Sequence, residues 1–572
     1  MMEDEKNKKK YPYKHLAMVF ITGFVLLIYL AYYLIVNWNG HIVVHGNRLV
    51  GFKYGLIDKS GGNEKLTIPE GITEIGDFAL KDCVFIKEIE LPESLEYIGK
   101  GAFYNCNKLS YINLPEKLKV IDDKAFCLCI SLSNVNMNDY VEYIGVSAFD
   151  SCTDLTDIYL SSSLKLIGEL AFADCKRLKS IKIPNTTKRI GLSAFANCLS
   201  LEDIDIASSI KVINMSTFRN CISLKEIEIK EGIDTIYYEA FAGCINLEEV
   251  KLPNSLTSID SKSFKDTKWQ NNINADEEGC KYYKDILIEA NKNFKEFKLK
   301  EGIRIIASGV FEDSEMLERI TLPNSIEYIG STTFKNCKML IDINLPDNIK
   351  YIETETFRDC KSLKTVRLPY KLQSIGYGAF KGCVSLEKAV FPESLNYIEN
   401  EAFSDCVNLK DIYFNKYPNY IGGAFKNTPW FAQIESDEYG CKYINNNLVE
   451  YLDSGKKRVV VKEGTVNITD EVFTNSKVED IKLPESLKMI GNKAFLSCKN
   501  LKKIDVPFGT EKVGNMAFCG CTSLEYVHLP NSIKEMGVYV FQDCTSVKDF
   551  DVPEYLKSST IYTGGADIIY LE

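Results

Sequence analysis

Histidine is almost missing from this chain. Only His15, His41, His45 and His528 occur in 572 residues. None has a Ser, Cys or acidic partner at a spacing used for nucleophilic or metal catalysis. No glycine-rich phosphate loop occurs either. Paired carboxylates abound, but 79 acidic residues supply such pairs by chance. The sequence therefore gives no reason to expect an enzyme, a cofactor site or a metal site. An excess of positive charge is also lacking. The net charge is −11, which argues against a nucleic-acid partner.

Long apolar runs are scarce, with one exception. Leu16 to Val36, LAMVFITGFVLLIYLAYYLIV, contains no charged side chain. As a helix it spans the ~30 Å hydrocarbon core of a bilayer. It exceeds the roughly 7–15 apolar residues of a signal peptide, and no small-x-small cleavage site follows, only Asn37-Trp38-Asn39-Gly40. The expectation is an uncleaved signal anchor at 16–36 in a single-pass cell-membrane protein. Lys6, Lys8, Lys9, Lys10 and Lys14 keep the 1–15 tail in the cytoplasm by the positive-inside rule, and the rest of the chain is then extracellular.

What the chain has in abundance is one repeated unit. Leu91 to Asn113 reads LPESLEYIGKGAFYNCNKLSYIN, and LPEKLKVIDDKAFCLCISLSNVN follows it at once from Leu114. Phenylalanine recurs at 103, 126, 149, 172, 195, 218, 241 and 264. It resumes at 311, 334, 357, 380 and 403, then at 425, 473, 495, 518 and 541. Cysteine keeps the same step from 83 to 244. A fixed period of this length marks a solenoid, here nineteen units and a truncated twentieth.

Within a unit, Leu109, Ile112 and Leu114 face inward from a short strand that Pro115 ends. Gly99 gives the backbone room to turn after Ile98. The spacing of Ala102, Phe103 and Cys106 suits a short helical or 3₁₀ segment on the opposite wall. No unit buries its apolar face alone, so each must stack on the next.

These residues resemble the BspA-like family of leucine-rich repeats, built on LPxSLxxIGxxAFxxCxxLxxI. The likeness covers about residues 66 to 556. It implies an α/β repeat solenoid, a right-handed leucine-rich-repeat horseshoe with a parallel concave sheet, which the apolar run at 16–36 precedes with one transmembrane helix. It also implies a cell-surface role in protein binding or adhesion.

Two interruptions divide the repeats, from Thr267 and from Thr428. Each replaces the ladder Cys by Thr, adds a Trp, and continues to Gly-Cys-Lys-Tyr. Trp269 to Trp430 and Cys280 to Cys441 are both separated by seven whole periods. Both interruptions resemble a hairpin expected at 37–65, with Gly46-Asn47 at its turn. The expected layout is a capping hairpin at 37–65, repeats at 66–268, and two hairpin-led blocks at 269–429 and 430–572, the last closed by a C-terminal cap.

Fifteen of the nineteen cysteines lie on the ladder. In-register neighbours would have Cβ atoms about 4.8 Å apart, farther than the roughly 3.8 Å of a disulfide. Buried free thiols are expected, with Cys127, Cys280, Cys441 and Cys519 off the ladder.

Ligand recognition then falls to the strand flanks that alternate with the inward isoleucine. Stacking collects Asp203, Asp205, Glu226, Glu228 and Glu249 into an acidic strip. Like charges on neighbouring strands are destabilising, so the strip suggests a basic protein ligand or a host-matrix protein. The competing reading is a solvated surface balanced by Lys182 and Lys251. Tyr111, Tyr159, Tyr413 and Tyr526 offer aromatic contacts on the same rows. A scaffold protein of the cell envelope, with no soluble ligand, stays open as the alternative.

Overall fold

The structure, a computed structural model, describes residues 41–53 and 64–553. The tail at 1–15, the apolar run at 16–36 and the expected C-terminal cap from residue 554 lie outside the described residues. Among the described residues no helix is long and apolar enough to cross a membrane. The chain divides into two compact units, Met1–Ile273 and Asn274–Glu572. The division falls inside the first interruption.

Both units are parallel-strand solenoids, of about 21 turns in all. Each full repeat makes two strands. Tyr111–Asn113 alternates outward, inward, outward, with Ile112 fully buried. Val120–Ile121 follows after the Pro115 turn, with Ile121 also buried. Each strand pairs in parallel with its copy in the next repeat: Tyr111 with Asn134 on one wall, and Val120 with Tyr143 on the other. Two parallel walls therefore enclose one core, where the sequence suggested a single sheet.

The third side is where the sequence reading needs correction. The segment around Ala102, Phe103 and Cys106 is not helical. Alternate amides close tight turns, Ala102 to Gly99, Tyr104 to Gly101 and Cys106 to Phe103. The amides between them reach the next repeat, Gly101 to Asp123 O, Phe103 to Ala125 O and Asn105 to Cys127 O, all within 2.7–2.8 Å. A helix would aim every amide along one axis. Here left-handed residues on either side of Ala102-Phe103-Tyr104, Gly101 at φ 57° and Asn105 at φ 59°, rotate alternate amides toward the neighbouring turn. In neighbouring repeats the second of these positions is Asp82, Asp174, Asn197 and Asn220, residues that tolerate this region, and also Leu128 and Ser151. Their side chains join the ladder, as Asn105 Nδ2 does by donating to Asp82 Oδ1 at 2.7 Å. The repeats are thus β-strands and turns, not α/β.

Among the described residues the α-helices are two single turns, Lys268–Asn272 and Pro429–Ala432, both in the interruptions. They account for the Cys-to-Thr change. The Thr267 hydroxyl accepts from the Gln270 amide and Thr428 from the Phe431 amide, capping each helix.

The core is a stack of phenylalanines. Rings from Phe103 to Phe264 lie 5.0–5.4 Å apart at the centroids and nearly parallel. The ladder cysteines are buried free thiols, as their spacing predicts. From Cys106 onward each also donates to a carbonyl: Cys129 Sγ donates to Phe103 O at 3.1 Å, and Cys152 and Cys175 repeat this on Phe126 and Phe149. Gly99 is required for close approach. A Cβ there would lie 2.7 Å from Asp77 Oδ1 and 2.8 Å from Ile75 O of the preceding turn.

Antiparallel hairpins lie at 41–53, 281–289 and 441–451, and residues 37–40 and 54–63 of the hairpin expected at 37–65 lie outside the described residues. In each the second strand enters the two-residue wall. Leu49 pairs with Ile75, Leu287 with Ile306 and Leu448 with Ile468, and all three leucines are fully buried. The first hairpin heads an eight-stranded wall, which meets the need to cover a terminal turn.

Candidate binding face

The three-residue strands put their central isoleucine into the core, so the flanking side chains face solvent. All five acids of the predicted strip lie on this face. Glu226 stands directly in register with Glu249, and Glu228 with Lys251. Asp203 is in register with Ser180, and Asp205 with Lys182. Backbone pairing lapses between 203–205 and 226–228, leaving two two-stranded sheets. The same lapse separates 157–158 from 180–182, where no acid faces an acid, so repulsion is not its cause.

Two of the five carboxylates are compensated. Glu228 lies 4.0 Å from Lys251, as the balanced-surface reading anticipated. Asp205 pairs with Lys230 rather than with Lys182. Lys230 was legible only as a loop residue beyond Glu228, and the turn that carries it back is set by the fold. Asp203, Glu226 and Glu249 make no ion pair among the described residues and stay exposed.

The tyrosines do not gather around these acids. Tyr111 is 46% exposed but lies four turns before Asp203, about 20 Å away at one strand spacing per turn. Tyr159, 86% exposed, sits two turns before Asp205 with Lys182 between them. Tyr413 and Tyr526 belong to the second unit, where Lys388 covers the Tyr413 ring at 5.0 Å. The face thus carries one compact acidic strip and separate aromatic points.

Two features that follow the two-residue strands escaped the sequence reading. In the second unit, Glu353 and Glu399 replace the close-approach glycine that follows isoleucine. Burial, and then the Glu399 charge, push the Glu353 carboxyl up to about 7. In the first unit, Leu192, Met215 and Tyr238 form an exposed row at steps of 23. Both could have been found by reading each repeat position down the stack. Among the described residues no group of three His, Cys, Asp or Glu side chains could hold a metal ion.

Comparison with known proteins bears on this architecture. The BspA type Leucine rich repeat region matches in six copies, at 58–179, 144–270, 211–341, 288–410, 333–454 and 466–563. Comparison with curated proteins returns no match. Among solved structures, a leucine-rich repeat protein from Bacteroides ovatus is 22% identical over 91% of this chain and 95% of its own, with a TM-score of 0.34. A leucine rich cell surface protein from Faecalibacterium prausnitzii is 23% identical over 66% and 93%, with a TM-score of 0.28. The T. pallidum leucine rich repeat protein is 22% identical over 48% and 84%, with a TM-score of 0.17. Superpositions at these scores carry no argument, so the assignment rests on the repeats themselves. With six matches across most of its length, five of them overlapping in succession, the chain belongs to the BspA-type leucine rich repeat family.

Proposed function

We propose that this is a membrane-anchored cell-surface protein that binds a protein ligand, and so mediates adhesion, through the exposed face of its three-residue strands. Leucine-rich repeat proteins commonly bind protein ligands. The observation that carries the reading is the run Asp203, Glu226 and Glu249: three exposed carboxylates on successive turns without an ion pair. Elsewhere on this scaffold, thiols, amides and hydroxyls are taken up by the neighbouring turn. The ligand is then a basic protein surface, such as a host-matrix protein, with no nucleic acid involved. The protein acts by binding and holds no cofactor. The anchor is Leu16 to Val36, whose preceding lysines place the repeats outside.

The binding test uses the solubilised chain as bait for matrix and envelope proteins. The D203N/D205N/E226Q/E228Q variant should lose a salt-sensitive partner that the parent captures. Capture unchanged by the four substitutions would remove the strip as the ligand face. No capture by either would favour the envelope scaffold. Protease added to intact cells tests the topology. It should remove the repeats and leave a small N-terminal stub, whereas a mature chain starting near residue 37 would refute the anchor.

A further inference from the structure

The turns that follow the two-residue wall of the first unit carry an apolar row in water. Leu192, Met215 and Tyr238 are 39%, 46% and 37% exposed and recur at steps of 23, so they stack one per turn. Earlier turns mix Asp123, Val146 and Glu169 at the same position. Cations precede this position on three successive turns, Lys165, Lys188 and Lys211, and Asp234 ends the run. Lys165 pairs with Glu142 at 2.6 Å, and Lys211 Nζ donates to Gly232 O at 3.2 Å. Lys188 and Arg189 are exposed and make no ion pair among the described residues. A contiguous exposed apolar strip rimmed by charge marks a contact surface.

The charge of the partner can be read from the same unit. We propose that the partner is a second copy of this chain, whose Asp203–Glu226–Glu249 strip lies along the Lys165–Lys188–Lys211 row of the first, with Arg189 beside it. This rests on the reading of the acidic strip as the binding face, and names what binds it. Both strips repeat once per turn of one solenoid, so their periods are equal and opposite charges match along the contact. Each strip also holds charges that its own chain leaves unpaired. A membrane or a nucleic acid would satisfy the cations and leave the acids bare. A basic peptide would do the reverse and leave Leu192 and Met215 in water. One self-contact accounts for both. The two strips lie on different walls, so the contact is heterologous. Each added copy exposes a fresh acidic and a fresh basic strip, and rows of copies grow side by side.

The test is sedimentation velocity on the detergent-solubilised full chain. The parent should associate with rising concentration at low salt and dissociate at high salt, which needs no variant at all. K188E/R189E and E226K/E249K should each weaken association about tenfold or more. Mixed in equal amounts, they should associate again, because one then presents acids on both walls and the other cations. A parent that stays monomeric at low salt overturns the proposal, and so does a mixture that associates no better than its components. If a charge reversal fails to fold, K188S/R189S gives the same readout with smaller perturbation. If E226K/E249K loses capture of a different protein while K188E/R189E keeps it, self-association is overturned but the acidic face stands. If neither variant changes any association, both readings fall.

Discussion

Phe172→Ala tests the claim that the ring stack holds the solenoid together. Phe172 is fully buried, with its ring 5.2 Å from Phe149 and 5.3 Å from Phe195, both at 3° from parallel. Truncating a buried phenylalanine costs about 3–5 kcal/mol, more where the site cannot collapse. Collapse is restricted here, because the Phe149 and Phe172 amides are tied to Ala171 O and Ala194 O at 2.7 Å. Stacked ring contacts are lost on both faces as well. We therefore expect about 4 kcal/mol. Turns contact only their neighbours, so the loss should appear first as local opening. The thiol ladder reports that opening. Cys175 and Cys198 donate to Phe149 O and Phe172 O at 3.3 Å, and burial holds both thiols far above their ordinary pKa. Pulsed alkylation read by mass spectrometry should label Cys175 and Cys198 first, while Cys106 and Cys360 stay protected. Equal labelling of Cys106 and Cys175, or a local change below ~1 kcal/mol, would refute the reasoning.

Gly99→Ala places a methyl against Asp77 and Ile75 O, so it should destabilise by about 1–3 kcal/mol in denaturant melts, with an unchanged melt removing the close-approach argument. Glu353 has its folded-state pKa raised from 4.5 to about 7, so the folded state pays increasingly for its charge as the pH rises between those values. Glu353→Gln should leave thermal stability unchanged well below pH 4.5 and raise it by up to ~3 kcal/mol above pH 7; equal effects at both would mean the carboxyl titrates normally. Neutralising Asp203, Asp205, Glu226 and Glu228 together should slow association with a basic partner without unfolding the chain. A melting temperature that falls steeply would show that the strip is structural.

The phase of the repeat was legible because the core reuses the same residue types at the same positions. Phe103, Cys106, Leu109 and Ile112 each mark a fixed point on the turn, and the structure keeps every one buried. The conformation between those points was less legible. Ala102, Phe103 and Cys106 fit one face of a helix, but the same spacing also suits consecutive tight turns. What decides between them is the backbone at Gly101 and Asn105, and only the second leaves a trace, in its Asn, Asp and Gly preference. The second wall was missed because Tyr97–Ile98 is two residues long, too short for alternation to show. The Thr267 and Thr428 substitutions were visible, but their purpose as helix caps depended on helices that one turn of sequence cannot announce. Of the candidate face, the in-register acids were legible. The Lys230 partner of Asp205 and the apolar row at 192, 215 and 238 were not, because they depend on how turns carry side chains between walls.

The division of labour within each turn explains why function should sit on the flanks. The buried positions are bound on both sides: Phe by Phe, thiol by carbonyl, left-handed Asn by the Asp or Asn of the adjacent turn. A change at any of them disturbs two neighbours. Apart from the Asp205–Lys230 and Glu228–Lys251 pairs, the flanks of Ile204, Ile227 and Val250 carry no such obligation, since their side chains leave the stack at right angles to it. They can vary one turn at a time at little cost to the fold. Repulsion between exposed like charges one strand apart is only about 1 kcal/mol in water, so stability neither requires the acids nor forbids them. A charge pattern the scaffold does not need, repeated at the scaffold's own period, is well suited to recognise another object with that period, and a second solenoid is one.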